Sequence, residues 1–196
     1  IEMRYSKFSV EMGKCLGQID YMTDTIRDLI NLGKFDCKKF QMKFEEISAE
    51  ILVETVVNDI EILAEPKNIE ISVQGKLKIK WLCDPFWMQE VLKNILKNCI
   101  EHSPNGKIEI FYGREKNLNK IIIRDNGQGF MFGRENKIFE RYFLGDRTKE
   151  GSSGLGLSIA QQVIKQHFGT ITASNRECGG AEFLILFPQM DATTIY

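Results

Sequence analysis

The chain has 196 residues, 43% of them apolar, enough for one domain of roughly 150 residues with its own core plus an appendage. Its 26 basic residues nearly cancel its 27 acidic ones, which argues against a nucleic-acid surface or an anionic-membrane contact from this segment. Cys15, Cys37, Cys83, Cys99 and Cys178 are scattered with no CxxC pair, a pattern that fits reduced thiols in a cytoplasmic protein and makes a zinc site improbable. No run approaches the ~18 apolar residues of a membrane span, and the polar start has no signal-peptide character. The chain does not begin with Met and reads as a segment of a longer protein, with any membrane part upstream.

Residues 3–32 lack proline, and Tyr5, Phe8, Met12, Cys15, Ile19, Met22, Ile26 and Leu29 recur at alternating spacings of three and four. That stripe predicts a long helix carrying the seam of a coiled coil or bundle, the alternative being a helix docked on its own domain. Gly33 is the predicted stop. Phe40, Met42 and Phe44 alternate with polar residues and predict a short strand. Ser48 is placed to cap a helix that reaches Ala64, with Ile51, Leu52, Thr55, Val56, Ile60 and Leu63 on one face and Pro66 ending it. Ile69, Ile71 and Val73, followed by Ile79 and Trp81, predict a hairpin-like pair across Gly75. Asp84 and Pro85 form a capping start for a helix to about residue 103. Strands are predicted at 107–112 and 120–124, a loop-rich stretch at 125–153, a helix at 154–167, and strands at 170–174 and 181–187. This order predicts an α+β fold, a two-layer sandwich with helices on one face of a mixed sheet, preceded by the coiled-coil-like helix.

Three segments carry chemistry. On the helix at 84–103, Asn94, Asn98 and His102 stand four apart and share a face. Asparagine is a poor helix former, so the row reads either as a site or as an ordinary solvated face. Asp125-Asn126-Gly127-Gln128-Gly129 follows the apolar run Ile121-Ile122-Ile123. It reads as a carboxylate at a pocket edge with glycines that admit a flat ligand, or as a hairpin turn. Gly151 to Leu157 opens the last helix, and a glycine-rich approach to a helix N-terminus offers free N–H groups to phosphate.

Together and in this order, the three segments resemble the N box and the two glycine boxes of the GHKL ATPase superfamily, whose two-layer architecture is the Bergerat fold. Ile138-Phe139-Glu140-Arg141-Tyr142-Phe143 resembles the F box typical of its histidine kinases. The resemblance covers about residues 40–188. The helix before it, ending Leu32-Gly33-Lys34-Phe35-Asp36, looks like the second helix of the kinase dimerisation stalk. It therefore implies a stalk helix at 1–35, a catalytic ATP-binding domain at 36–190 and a tail at 191–196.

The resemblance implies ATP and Mg²⁺ as cofactors. Asp125 would accept a hydrogen bond from the adenine amino group, with Gly127, Gly129 and Phe130 shaping the pocket. Asn98 would hold Mg²⁺ through its carbonyl oxygen, and Asn94 and His102 would line the phosphate region. Backbone N–H groups around Gly154, Leu155 and Gly156 would cradle the phosphates. A lid would span 130–153, packed down by Phe139 and Phe143, with Arg141 as a salt-bridge residue. In hydrolytic relatives a Glu four residues before the metal-binding Asn activates water. Here that position is Asn94, which cannot act as a general base. Phosphoryl transfer relies on positioning and charge neutralisation instead, so the pattern favours a kinase.

The implied reaction is transfer of the γ-phosphate to a stalk histidine, for relay to an aspartate of a response regulator. The full-length parent would be a homodimer through the stalk, anchored in the membrane with this domain on the cytoplasmic side. The phosphoacceptor motif is absent: of the two histidines, His102 lies in the N box and His167 is read as structural. Glu101 stands where many relatives have Lys, Leu144 replaces a common Arg for which Arg147 could substitute, and Ser152 replaces a frequent Gly. These departures keep open a degenerate scaffold without kinase activity; a hydrolytic ATPase is the third reading.

Overall fold

The computed structural model describes residues 2–37, 40–76, 78–144 and 153–190, with the backbone alone for 2–10, 20 and 36. Helix α1 (Glu2–Asp36) runs 35 residues. Met12, Ile19, Met22, Ile26 and Leu29 of the seam remain exposed, as does Cys15, so this stripe does not pack on the rest of the chain. The side chains of Tyr5 and Phe8 lie outside the described residues. The C-terminal half of α1 docks through its other face: Asp24 and Asp28 make polar contacts with the domain, Asn31 and Leu32 are buried, and Phe35 packs on Trp87 with ring centroids 4.7 Å apart. This contact corrects the predicted stop. The helix continues through Gly33 because Phe35 in its last turn is held by Phe40 and Trp87, and that packing outweighs the low helix propensity of one glycine.

The predicted strand at 40–44 is irregular backbone. Its alternation does point Phe40 and Met42 inward against the core, but the Lys43 N–H donates to the Asp84 carboxylate at 2.8 Å instead of to a strand. Pairing begins at β1 (Glu45–Ser48), antiparallel to β3 (Lys80–Cys83). Ser48 caps α2 (Ala49–Ala64) as expected, its hydroxyl accepting from Ile51 N–H. The buried face of α2 is Leu52, Val53, Val56, Val57 and Ile60, while Ile51 and Leu63 are exposed. The face is thus rotated from the predicted one: Val53 and Val57 are buried in the core, in place of the predicted Ile51 and Leu63.

Strand β2 (Glu70–Gly75) does not pair with β3 as a hairpin; it runs parallel to β4 (Lys107–Glu115). A parallel partner needs a long crossover, and α3 (Pro85–His102) provides it. Strand β5 (Leu118–Asp125), helix α4 (Gly156–Gln166), β6 (Thr170–Asn175) and β7 (Ala181–Pro188) complete the described strands and α-helices, with single 3-10 turns at Glu65–Lys67 and Lys137–Phe139. The five-stranded sheet has the order β2-β4-β5-β7-β6, mixed in direction, and α2, α3 and α4 form the second layer. The α+β two-layer sandwich is therefore as predicted. Alternate residues face the helices: Ile108 and Ile110 on β4, Ile121 and Ile123 on β5, Phe183, Ile185 and Phe187 on β7. Among the described residues no helix is long and apolar enough to cross a membrane.

His167 is fully buried and fastens the helical layer. Its Nδ1 lies 2.8 Å from the Val163 carbonyl, and its Nε2 accepts the Asp84 N–H at 3.0 Å. With donor and acceptor sides both assigned, the ring is neutral, and burial holds its pKa below the usual histidine value. The structural reading of His167 fits this setting.

Candidate nucleotide site

The site lies where α3, the end of β5 and the start of α4 converge. Asp84 caps α3 through its Oδ1, 3.2 Å from Trp87 N, and Pro85 occupies the first turn. The apolar face of α3 is buried through Ile100, which leaves Asn94, Asn98, Glu101 and His102 half-buried along one edge. Asn94 lies against α4: a methyl group on Gly156 would sit 3.0 Å from its Oδ1. Two of the three segments singled out in the sequence therefore touch, and a side chain at Gly156 would press the Asn94 amide aside by a few tenths of an ångström.

Asp125 is the last inward-facing residue of β5, in register with Ile121 and Ile123, which is why a carboxylate is only 2% exposed. Its Oδ1 accepts from Gly127 N at 2.9 Å and from Ala181 N at 3.1 Å. Cys99, fully buried on α3, faces the same carboxylate; burial first, then the Asp125 charge, push its thiol pKa well up. Asn126 turns away and accepts from Lys107 N at 2.7 Å. The segment is therefore not a hairpin turn, because its polar groups tie it to β4 and β7. Gly127 packs on the end of α3, where a Cβ would lie 2.5 Å from both the His102 carbonyl and Ser103 Oγ. Glu101, His102, Ser103, Gly106, Asn126 and Gly127 are among the residues that line a cavity of about 310 Å³ beside it. Ser103 Oγ is buried at this wall without a hydrogen-bond partner, a polar atom left for a ligand or water to satisfy.

The other end of the site is the start of α4, whose first turn has no side-chain cap. Its N–H groups and positive dipole end are therefore available to an anion. Leu155 N–H donates to Ser153 Oγ at 3.2 Å, and that hydroxyl donates to Asp28 of α1 at 2.7 Å. Asp24, one turn earlier on α1, pairs with Lys97 of α3 at 3.3 Å. Gly154 has a φ of +66°, and its carbonyl accepts from Tyr142 N at 2.9 Å, which joins the F-box segment to the glycine segment. Phe139 is buried against the core, Phe143 is half-buried, and Arg141 is exposed. Phe130 packs edge-on to Phe183 at 5.6 Å. Gly151, Ser152 and Arg147 fall outside the described residues, as do 145–152 of the expected lid and the tail from 191.

Several contacts were not read from the sequence: the Cys99 wall, the Asp28 link, and the β6–β7 turn. In that turn Arg176 Nη1 donates to the Asp125 carbonyl at 2.8 Å, and Asn175 bonds both backbone groups of Phe130. Cys99 faces Asp125 from a different element, the other partners are 45 to 125 residues away in sequence, and no local pattern encodes such separations.

A single helical layer over this mixed sheet, with the three segments meeting at one edge, defines the class: a two-layer ATPase-type domain. The chain belongs to the histidine kinase-, DNA gyrase B- and HSP90-like ATPase family, whose model matches residues 83–191. It is 25% identical over 181 residues to the sensor-like histidine kinase SenX3 of Mycobacterium tuberculosis, covering 90% of this chain and 44% of SenX3. The chain thus spans less than half the length of that relative. It also resembles the solved catalytic domain of histidine kinase ThkA, at 28% identity and a TM-score of 0.69, over 76% of this chain and 97% of that one. A structure of ThkA in complex with response regulator protein TrrA shares the fold, at 23% identity and a TM-score of 0.73, over 88% of this chain and 48% of that one.

Proposed function

We propose that the chain is the ATP-binding catalytic part of a two-component sensor histidine kinase. Residues 36–190 would form the catalytic domain, and 1–35 the second helix of its dimerisation stalk. The observation that carries this reading is the meeting of Asn94 with Gly156 and of His102 with Gly127, which places one polar helix edge between a buried carboxylate and an uncapped helix N-terminus.

The residues present fit the nucleotide. Both N–H donors to Asp125 reach Oδ1, so the carboxylate has acceptor capacity left for an adenine amino group. The orphaned Ser103 hydroxyl can be satisfied at the cavity wall. The first-turn N–H groups of α4, with Gly154 and Gly156 free of side chains, suit phosphate oxygens. Among the described residues no three His, Cys, Asp or Glu side chains gather as a metal site, so Mg²⁺ would rest on the Asn98 carbonyl and on phosphate oxygens. Bound there, the ion would neutralise phosphate charge. The protein's part is to orient the nucleotide through Asp125, align its phosphates on α4 and exclude water. Asn94 offers no general base for hydrolysis.

The phosphate would pass to a histidine on a stalk helix outside this sequence, and then to an aspartate of a response regulator. That ThkA is captured with one supports such a partner. The exposed α1 seam supports a homodimer through the stalk. The test is to extend the chain upstream to include the first stalk helix, incubate it with Mg-ATP, and measure acid-labile phosphohistidine. Label on a stalk histidine, lost on Asp125→Asn, is the expected result; no label from a chain that binds ATP would favour the scaffold reading.

A further inference from the structure

Building on the nucleotide reading above, we infer that Asn175 is a positioning residue for nucleotide binding: its side-chain amide clamps Phe130 and fixes the far end of the Asp125–Phe130 segment. Asn175 Oδ1 accepts from Phe130 N at 2.6 Å, and its Nδ2 donates to Phe130 O at 2.9 Å. An amide that pairs with both groups of one residue replaces a strand neighbour, so it holds the backbone in direction as well as in place.

The near end of the same segment is fixed by the same turn. Arg176 Nη1 holds the Asp125 carbonyl, and Ala181 N–H holds the Asp125 carboxylate. The six residues that carry the carboxylate and both glycines are therefore pinned at each end by the β6–β7 turn and the strand residues that flank it, Asn175 and Ala181. Gly129 has a φ of +70°, and a Cβ there would come within 2.5 Å of Asn175 Oδ1. That glycine thus serves the clamp as well as the bend.

A role for Asn175 confined to its own turn is not what the contacts describe. The turn closes through Arg176 N to Gly180 O at 3.0 Å and Gly179 N to Arg176 O at 3.1 Å, backbone bonds that leave the Asn175 side chain out. The side chain spends both hydrogen-bonding ends on a residue 45 positions away. If the segment's far end drifts, the path of Gly127 and Gly129 changes, and with it the pocket beside Asp125.

The experiment is calorimetric titration of the whole chain with Mg-ADP for wild type, Asn175→Ala and Asn175→Asp, with amide hydrogen exchange measured without nucleotide. Asn175→Ala should weaken Mg-ADP by about fivefold, the factor one net neutral hydrogen bond is worth. Asn175→Asp keeps the acceptor for Phe130 N but sets a second acceptor oxygen against the Phe130 carbonyl, and should weaken binding at least as much as Asn175→Ala. Exchange in the 126–134 peptide should quicken in Asn175→Ala while α2 and β2 keep wild-type rates. Wild-type affinity in Asn175→Ala, or faster exchange spread evenly over the sheet, would overturn the positioning role. A wild-type chain that takes no Mg-ADP would overturn the nucleotide reading itself, and this role with it.

Discussion

Gly179 and Gly180 offer a paired substitution in which backbone conformation is matched and only the contact differs. Their φ values are +89° and +88°, so alanine at either position is forced into a region that L-residues avoid, at about 1–2 kcal/mol. Gly179 has nothing within 4 Å of a built Cβ, and Gly179→Ala should cost only that much. At Gly180 the Cβ would lie 2.1 Å from the Asp125 carbonyl oxygen and 2.8 Å from Asn126 Cα, both backbone atoms that no rotamer change can move. Overpacking adds roughly 1–3 kcal/mol, which puts Gly180→Ala at roughly 2–5 kcal/mol in total. Urea unfolding followed by circular dichroism measures both, with midpoints shifting at constant slope. Gly180→Ala should also weaken nucleotide binding, because the carbonyl it strikes belongs to Asp125. Equal costs for the two variants would refute the argument that the β6–β7 turn presses on the end of β5.

Protonation of His167 must break its acceptance of the Asp84 N–H, and its folded pKa lies below the ordinary 6.5. The unfolded chain therefore binds the extra proton first. This contribution to stability is intact above the unfolded value and is lost as pH falls from about 6.5 through the lower folded value. Unfolding midpoints between pH 8 and 5 should show that loss in wild type, and a smaller slope in His167→Gln. The Asp28 carboxylate accepts from Ser153, which itself accepts from Leu155 N–H, so it places negative charge beside the proposed phosphate end. Asp28→Asn should tighten Mg-ADP by about threefold at low salt, an advantage that shrinks as ionic strength rises; weaker binding would reverse the sign assigned to this contact. Cys15, Cys37 and Cys178 are exposed, whereas Cys83 and Cys99 are buried, the Cys83 thiol pushed up to about 12. Three thiols should therefore react rapidly with a disulfide reagent in the native chain and five in urea; fast reaction of Cys99 would show that the wall behind Asp125 opens.

What the sequence disclosed was mostly local. Ser48 and Asp84 cap helices because a side-chain oxygen reaches an N–H three residues on, a distance fixed by helix geometry. Asp125 at a strand end and glycines before α4 were visible because both depend on neighbours in the chain. Where readings failed, a distant partner decided. Phe35 on Trp87 carries α1 past Gly33, β4 recruits β2 away from the expected hairpin, and β3 shifts the first strand beyond residue 44. The supports of the site were illegible for the same reason: Asn175, Arg176 and Asp28 sit in unremarkable polar stretches and gain meaning only through partners across the fold.

The most direct test of the central claim is calorimetric titration with a non-hydrolysable ATP analogue, with and without Mg²⁺, on wild type and Asp125→Asn. Because Gly127 N–H and Ala181 N–H both bind Oδ1, an asparagine would keep its oxygen there and turn its Nδ2 toward the base, donor against donor. Saturable, Mg²⁺-dependent binding by wild type, weakened roughly ten- to a hundredfold in Asp125→Asn, is the predicted result. Equal affinity in the two proteins, or no binding at millimolar analogue, would contradict the account.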